Sequence, residues 1–139
     1  MPWDYNNDGL LDLFISSYDR NVGNVVIHSM GLPTKTEPPG HYQGTSKGQF
    51  TNRAKAQGLT QPMMPMGSNI GDLNNDGYLD FYLGTGEPQI SVILPNMMSL
   101  NLRRARFADI TMAGGFGHLQ KVHAVVFADY DEDGDQDVF

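Results

Sequence analysis

The chain has 139 residues, enough for one domain with a buried apolar core, and its formal net charge is −7. This acidic balance argues against a nucleic-acid-binding protein, which normally presents a basic face. The absence of cysteine excludes a disulfide scaffold, a cysteine-ligated zinc site and a thiol nucleophile. The apolar runs are short, so we expect no membrane span, and the first residues lack the features of a signal peptide.

The acidic residues are concentrated in three nine-residue segments, which we name loop 1 (residues 4–12), loop 2 (72–80) and loop 3 (129–137). Twelve of the 16 acidic side chains lie in these segments, and each segment fits the pattern D-x-N/D-x-D-G-x-x-D. Carboxylates packed this densely repel one another unless a cation relieves the repulsion. Their regular spacing and the apolar residues that follow distinguish the loops from a polyanionic tail.

The pattern predicts one calcium site in each loop. Side-chain oxygens at positions 1, 3 and 5 can curl around a hard cation, and the glycine at position 6 permits the sharp turn. Position 7 can offer its backbone carbonyl, and the aspartate at position 9 closes the shell. Mg²⁺ is the weaker candidate because it demands a tighter octahedral geometry. The predicted ligands for up to three Ca²⁺ ions are Asp4, Asn6, Asp8, Leu10, Asp12, Asp72, Asn74, Asp76, Tyr78, Asp80, Asp129, Asp131, Asp133, Asp135 and Asp137.

The loops differ from the calcium loop of an EF-hand. That motif needs a bidentate glutamate at position 12 and a helix on each side. Position 12 is Ile15 in loop 1 and Leu83 in loop 2, and strand-like residues follow each loop. The alternative is a set of three hairpin turns whose acidic residues are incidental. Three copies with every ligand position filled favour calcium over that alternative.

The sequence repeats beyond the loops with a period of 57 residues, which separates Phe50 from Phe107 and Asp72 from Asp129. The first unit, residues 1–59, holds eleven extra residues, which we place in an insertion at about 31–48. A second unit covers residues 60–116 and a third covers 117–139. Repeats of this length are typical of arrays and propellers.

In each unit the pattern of apolar and turn residues predicts short strands and no helix. In the second unit the strands are expected at about residues 67–71, 80–84, 90–94 and 106–110. We therefore predict an all-β fold of four-stranded antiparallel β-propeller blades. One blade is expected to be complete and two partial, since little sequence precedes loop 1 or follows loop 3. We expect either a piece of a longer polypeptide or blades completed by neighbouring copies.

The residues also resemble a known family. The loops, the apolar strand after each, and the segments 107–111 (Phe-Ala-Asp-Ile-Thr) and 115–118 (Gly-Phe-Gly-His) are similar to FG-GAP/VCBS repeat proteins. More narrowly they resemble secreted bacterial and cartilage-acidic-protein-like members, which often carry an ASPIC/UnbV domain that would not fit in this length. The resemblance implies a calcium-stapled blade like those of integrin α-chain heads, with ligands at Asp4, Asn6, Asp8, Asp12 and their counterparts. It also implies an extracellular or cell-surface protein.

The predicted function is a calcium-binding extracellular scaffold for binding, adhesion or assembly. Its expected partners are calcium, further blades or neighbouring copies, and an extracellular protein or glycan ligand. We predict no enzyme, because no triad, phosphate-binding glycine loop or pair of catalytic acids is recognisable. Two alternatives stay open: a fragment of a propeller-type polysaccharide-active enzyme, and a self-assembling structural module.

One basic patch stands out against the acidic background. It comprises Arg103 and Arg104, just before the fourth predicted strand of the second unit, and Arg106 at the start of that strand. The patch either binds an anionic group of a partner or offsets the acidic charge of the loops, and the sequence favours neither.

Overall fold

The protein consists of consecutive antiparallel β-sheets, described in a computed structural model over residues 1–19, 21–86 and 93–139. The first sheet has the order β1-β2-β3-β4. Loop 1 joins its first two strands. The strands are β1 Pro2–Trp3, β2 Asp12–Ile15, β3 Gly40–Gly44 and β4 Phe50–Asn52. This sheet, expected to be partial, contains all four strands, although β1 is only 2 residues long.

The second sheet repeats the same order, and loop 2 again joins its first two strands. Its strands are β5 Pro65–Gly71, β6 Asp80–Thr85, β7 Met97–Asn101 and β8 Phe107–Asp109. The predicted first, second and fourth strands overlap the observed ones. The third was expected at about 90–94. Residues 90–92 lie outside the described residues, whereas 93 and 94 are not in a strand and β7 begins at Met97.

A two-stranded sheet completes the described part of the chain. It pairs β9 Phe127–Ala128 with β10 Asp137–Val138, and loop 3 connects the two strands. The three loops therefore occupy equivalent hairpins in three consecutive sheets. This arrangement agrees with the predicted succession of propeller blades.

Consecutive sheets pack face to face, and the alternation of side chains along β6 explains how. Phe81 and Leu83 pack with Phe14 of the first sheet in one buried apolar cluster, together with Trp3. Tyr82, on the opposite face of β6, packs in a second cluster whose other buried members are Met98 and Val125, and Phe127 of β9 packs against it. All six residues of β6 are buried, because this strand is covered on both faces.

The first sheet differs from the second in a helical connection. The helix α1, Val22–Ser29, lies between β2 and β3, where no helix was predicted. Its run of β-branched residues favours a strand, yet Asn21 caps the helix by accepting a hydrogen bond from the Gly23 N–H at 2.9 Å. The extra residues of the first unit lie between β2 and β3, a connection that includes residues 31–39 of the predicted insertion, whereas β3 occupies the middle of that insertion.

No helix in the described residues is long and apolar enough to cross a membrane.

Candidate metal centre

The three loops share one hydrogen-bonded framework, built around the aspartate at position 1. In loop 2 the two carboxylate oxygens of Asp72 accept the N–H groups of Asp76 and Gly77, at 3.0 and 2.8 Å. Asp4 in loop 1 and Asp129 in loop 3 accept the equivalent pair of N–H groups at 2.8–3.1 Å. A carboxylate held by two backbone donors fixes the curvature of the loop around it.

The aspartate at position 5 completes this framework by accepting the N–H of position 7. Leu10, Tyr78 and Asp135 are the donors, at 2.9, 3.0 and 3.1 Å. In loop 1 the side chain of Asn6 also donates to Asp8 at 2.9 Å, which brings positions 3 and 5 together.

The backbone of each loop turns through two residues with positive φ. At position 6 the angle is +79° for Gly9, +85° for Gly77 and +97° for Gly134, which explains why this position is glycine. Position 4 also has positive φ, near +55° in Asn7 and Asn75, and asparagine tolerates that conformation better than most residues. The sequence pattern therefore encodes the observed turn.

The aspartate at position 9 also anchors its loop to a neighbouring strand, a role that the sequence pattern did not indicate. Asp80 is fully buried and accepts the N–H of Leu73 at 2.9 Å and the N–H of Asn101 at 2.7 Å. Asp12 in loop 1 likewise accepts from Tyr5 and from Gly44. Each of these carboxylates therefore joins its loop to the last residue of the third strand, a long-range contact with no signal in the sequence. One lone pair on each oxygen is left for a cation.

Burial changes the acidity of these carboxyl groups. The pKa of Asp80 is raised to about 6, mainly by removal from water and to a smaller extent by repulsion from Asp72 and Asp76, although the two backbone hydrogen bonds lower it. The pKa of Asp12 is raised for the same primary reason. A cation beside either carboxylate would favour its charged form.

Loop 3 is the most exposed and the most acidic of the three loops. Carboxylate oxygens of Asp129, Asp131 and Asp137 lie within 4.8 Å of one another, so one ion can contact all three. A hydrogen bond with Asp133 and repulsion from it raise the pKa of Asp135. Asp137 also accepts the N–H of Tyr130 at 3.0 Å. This bond is equivalent to those that Asp12 and Asp80 accept from the residue at position 2 of their loops.

The assignment of the chain to a family rests on a sequence match that spans loops 1 and 2. Residues 4–83, more than half of the chain, match the profile of the FG-GAP-like repeat. The chain belongs to the FG-GAP-like repeat family. A search of curated proteins finds no match to it. The FG-GAP match and the four-stranded antiparallel sheets together support the propeller-blade fold predicted from the sequence.

The oxygen donors of the FG-GAP loops fit a calcium ion. The side chains at positions 1, 3, 5 and 9 offer carboxylate or amide oxygens, and the carbonyl of position 7 adds another. Ca²⁺ accepts six to eight such oxygens in irregular arrangements. Among the described residues, the structure brings three predicted carboxylate ligands together only in loop 3, and the carboxylates of loops 1 and 2 form no group of three within 4.8 Å. The framework hydrogen bonds use some of their lone pairs and leave others free.

A basic side chain lies beside loop 2. The Nε atom of Arg103 is 3.8 Å from a carboxylate oxygen of Asp76, and the Arg103 side chain is 78% exposed. Arg103 and Arg104 both have positive φ in the turn between β7 and β8. Of the two interpretations of the basic patch, this contact supports the one in which it offsets the acidic charge of a loop.

Proposed function

We propose that this FG-GAP repeat segment is a calcium-binding scaffold, without catalytic activity, that presents a binding or adhesion surface outside the cell. The observation that carries the calcium proposal is the hydrogen-bonded framework repeated in all three loops. The same position-1 and position-5 aspartates accept the same backbone N–H groups in each loop. Incidental acidic turns would not be expected to repeat this arrangement three times.

The proposed ligands divide equally among the loops, with five residues in each. Asp72, Asn74, Asp76, the carbonyl of Tyr78 and Asp80 would hold the ion of loop 2. A bound ion would supply positive charge next to the buried Asp80 and link the two strands of the β5–β6 hairpin. Since a ligand that binds the folded chain stabilises it, calcium should raise resistance to unfolding.

The scaffold role is supported by the family. An FG-GAP-like repeat suggests a propeller-type binding or scaffold module. A partner would be an extracellular protein or a glycan. Extracellular calcium sites are commonly weak, with dissociation constants of about 10⁻⁴–10⁻³ M, so millimolar calcium is the appropriate test condition.

Calcium binding is tested by isothermal titration of the full chain and by thermal unfolding with millimolar calcium or with excess chelator. We expect up to three ions per chain and a melting temperature that falls on chelation. Saturation at about 100 times the dissociation constant would contribute about 2.7 kcal/mol. Asp76→Ala should remove one binding site, whereas Glu37→Ala, an exposed acid outside the loops, should remove none. Unchanged melting in excess chelator, together with no heat of binding, would refute the proposal.

A further inference from the structure

Neighbouring loops are joined by a hydrogen bond that occurs twice with the same geometry. The side-chain amide of Asn7, at position 4 of loop 1, donates to the carbonyl of Gly77, at position 6 of loop 2, at 2.7 Å. The amide of Asn75, at position 4 of loop 2, donates to the carbonyl of Gly134, at position 6 of loop 3, at 3.1 Å. These contacts join residues 70 and 59 positions apart, so they arise from the stacking of the sheets.

The donor side of this contact depends on the loop conformation. Asn7 and Asn75 have φ of +55° and +54°, a conformation that the curled loop imposes between ligand positions 3 and 5. The direction of the amide therefore follows the shape of its own loop. A cation that orders positions 3 and 5 would also order the donor.

The accepting carbonyl belongs to a peptide group whose N–H donates to a proposed ligand of the next loop. The carbonyl of Gly77 and the N–H of Tyr78 belong to one planar peptide group, and that N–H donates to Asp76 at 3.0 Å. The peptide between Gly134 and Asp135 is held in the same way, since the Asp135 N–H donates to Asp133 at 3.1 Å. Hydrogen bonds on the two sides of a peptide group polarise and strengthen each other.

We propose that Asn7 and Asn75 are positioning residues that couple the calcium sites of adjacent loops. Calcium in loop 1 orders Asn7, which holds the Gly77–Tyr78 peptide and thereby the Asp76 carboxylate in loop 2. Asn75 acts in the same way between loops 2 and 3. This coupling rests on the calcium binding proposed above, and it is reciprocal, because each site must change the affinity of the other by the same factor.

Loop 3 supplies a matched control for this contact. Its position 4 is Glu132, whose φ of +61° equals that of the asparagines within a few degrees. A carboxylate cannot donate to a carbonyl, and within the described residues Glu132 makes no side-chain hydrogen bond. Glycine adopts positive φ readily, so replacing any of the three residues by glycine removes the side chain without straining the turn.

The experiment measures calcium affinity one loop at a time in the full chain. The backbone amide signals of Gly9, Gly77 and Gly134 in NMR titrations each report on their own loop. We expect Asn7→Gly to weaken calcium binding at loop 2 about threefold, the effect of one exposed hydrogen bond. Asn75→Gly should weaken binding at loop 3 to a similar extent, and Glu132→Gly should leave the affinities of loops 1 and 2 unchanged.

A double-mutant cycle separates coupling from a general loss of stability. Asp8→Ala removes a ligand from loop 1 and should weaken loop 2 in the otherwise unchanged chain, but not in the chain that also carries Asn7→Gly. If Asn7→Gly does not fold, the Asn75→Gly variant tests the same contact with loop 3. Calcium binding with loop affinities unchanged by both variants would overturn the coupling and leave the proposed function intact. No calcium-dependent shift of any glycine amide in the unmodified chain would overturn both.

Discussion

The first and second sheets contain the same loop but end their third strand with different residues. Gly44 in β3 and Asn101 in β7 occupy equivalent places, since each donates its N–H to the position-9 aspartate. At Gly44 a Cβ atom would lie 2.3 Å from the carbonyl oxygen of Leu11, so no larger residue fits. The strand termini of the two sheets are therefore not interchangeable.

Asn101 uses its side chain to connect the two sheets. Its amide donates to the carbonyl of Tyr5 in loop 1 at 2.8 Å and to that of Leu79 at 3.1 Å. Gly44 has no side chain that could make such a link. Asp80 therefore holds a residue that joins two sheets, whereas Asp12 holds one that belongs to a single sheet. A repeated motif can thus have different consequences for stability in adjacent repeats.

The two sheets should differ most in how much free energy of unfolding is lost when the buried aspartate at position 9 is replaced. Asp80→Ala leaves the N–H groups of Leu73 and Asn101 without acceptors, and each such loss costs about 1–3 kcal/mol. We expect a loss of about 2–4 kcal/mol in the free energy of unfolding, measured by urea denaturation in the presence of chelator. Asp12→Ala should cost less, because Gly44 carries no inter-sheet link.

The matched control for this comparison is Asn101→Gly, which gives the second sheet the residue found in the first. It removes the bonds to Tyr5 and Leu79 and the bond that the Asn101 side chain accepts from the Arg104 N–H, but it keeps the backbone N–H for Asp80. If the link explains the difference, Asp12→Ala and Asp80→Ala should become similar in cost when Asn101→Gly is present. An Asp12→Ala variant less stable than Asp80→Ala would contradict the comparison.

A second difference is the pH response of the third strands. His41 of β3 is fully buried, and burial lowers the pKa of its imidazole. Its Nδ1 atom is hydrogen-bonded to Oε1 of Gln57. The equivalent residue of β7, Met98, does not titrate. Because the unfolded chain binds the proton more readily, the stabilisation from neutral His41 is lost as pH falls below the ordinary value of 6.5.

We expect this loss to be about 1 kcal/mol between pH 7.5 and pH 5.5, measured by urea denaturation of the chelated protein. Other groups also titrate in this range, so the relevant quantity is the difference from His41→Met, which substitutes the residue of the second sheet. The variant should be less sensitive to acid than the unmodified chain. Equal pH dependence in the two proteins would show that His41 is not the titrating group.

The smallest difference concerns Arg103, whose equivalent in the first sheet is Ser46. Arg103→Ser removes a positive charge 3.8 Å from Asp76 and should strengthen calcium binding at loop 2 about twofold at low salt. The effect is small because the arginine side chain is exposed to solvent. Ser46→Arg should weaken loop 1 correspondingly. Both changes should shrink as ionic strength rises, and a salt-independent change would exclude simple charge competition.

Local patterns in the sequence predicted a large part of the fold. The hairpin loops, the strands that begin at Asp12 and Asp80, and the strand that begins at Phe107 lie where alternation and turn residues indicate them. The third strand of the second sheet was misplaced, since the apolar run near residues 90–94 has the greater strand propensity. Met97–Asn101 forms the strand because it pairs with β6 and ends where Asn101 reaches Asp80.

The conformation of the three loops follows from the local sequence, because positions 1, 4, 5 and 6 act through hydrogen bonds and backbone angles within nine residues. The packing of the sheets, in contrast, determines which strand donates to Asp12 and Asp80, and which carbonyls Asn7 and Asn75 reach. Those partners lie 21–70 residues away. Their contacts depend on how sheets stack, and that stacking follows from the burial of both faces of β6 rather than from any local pattern.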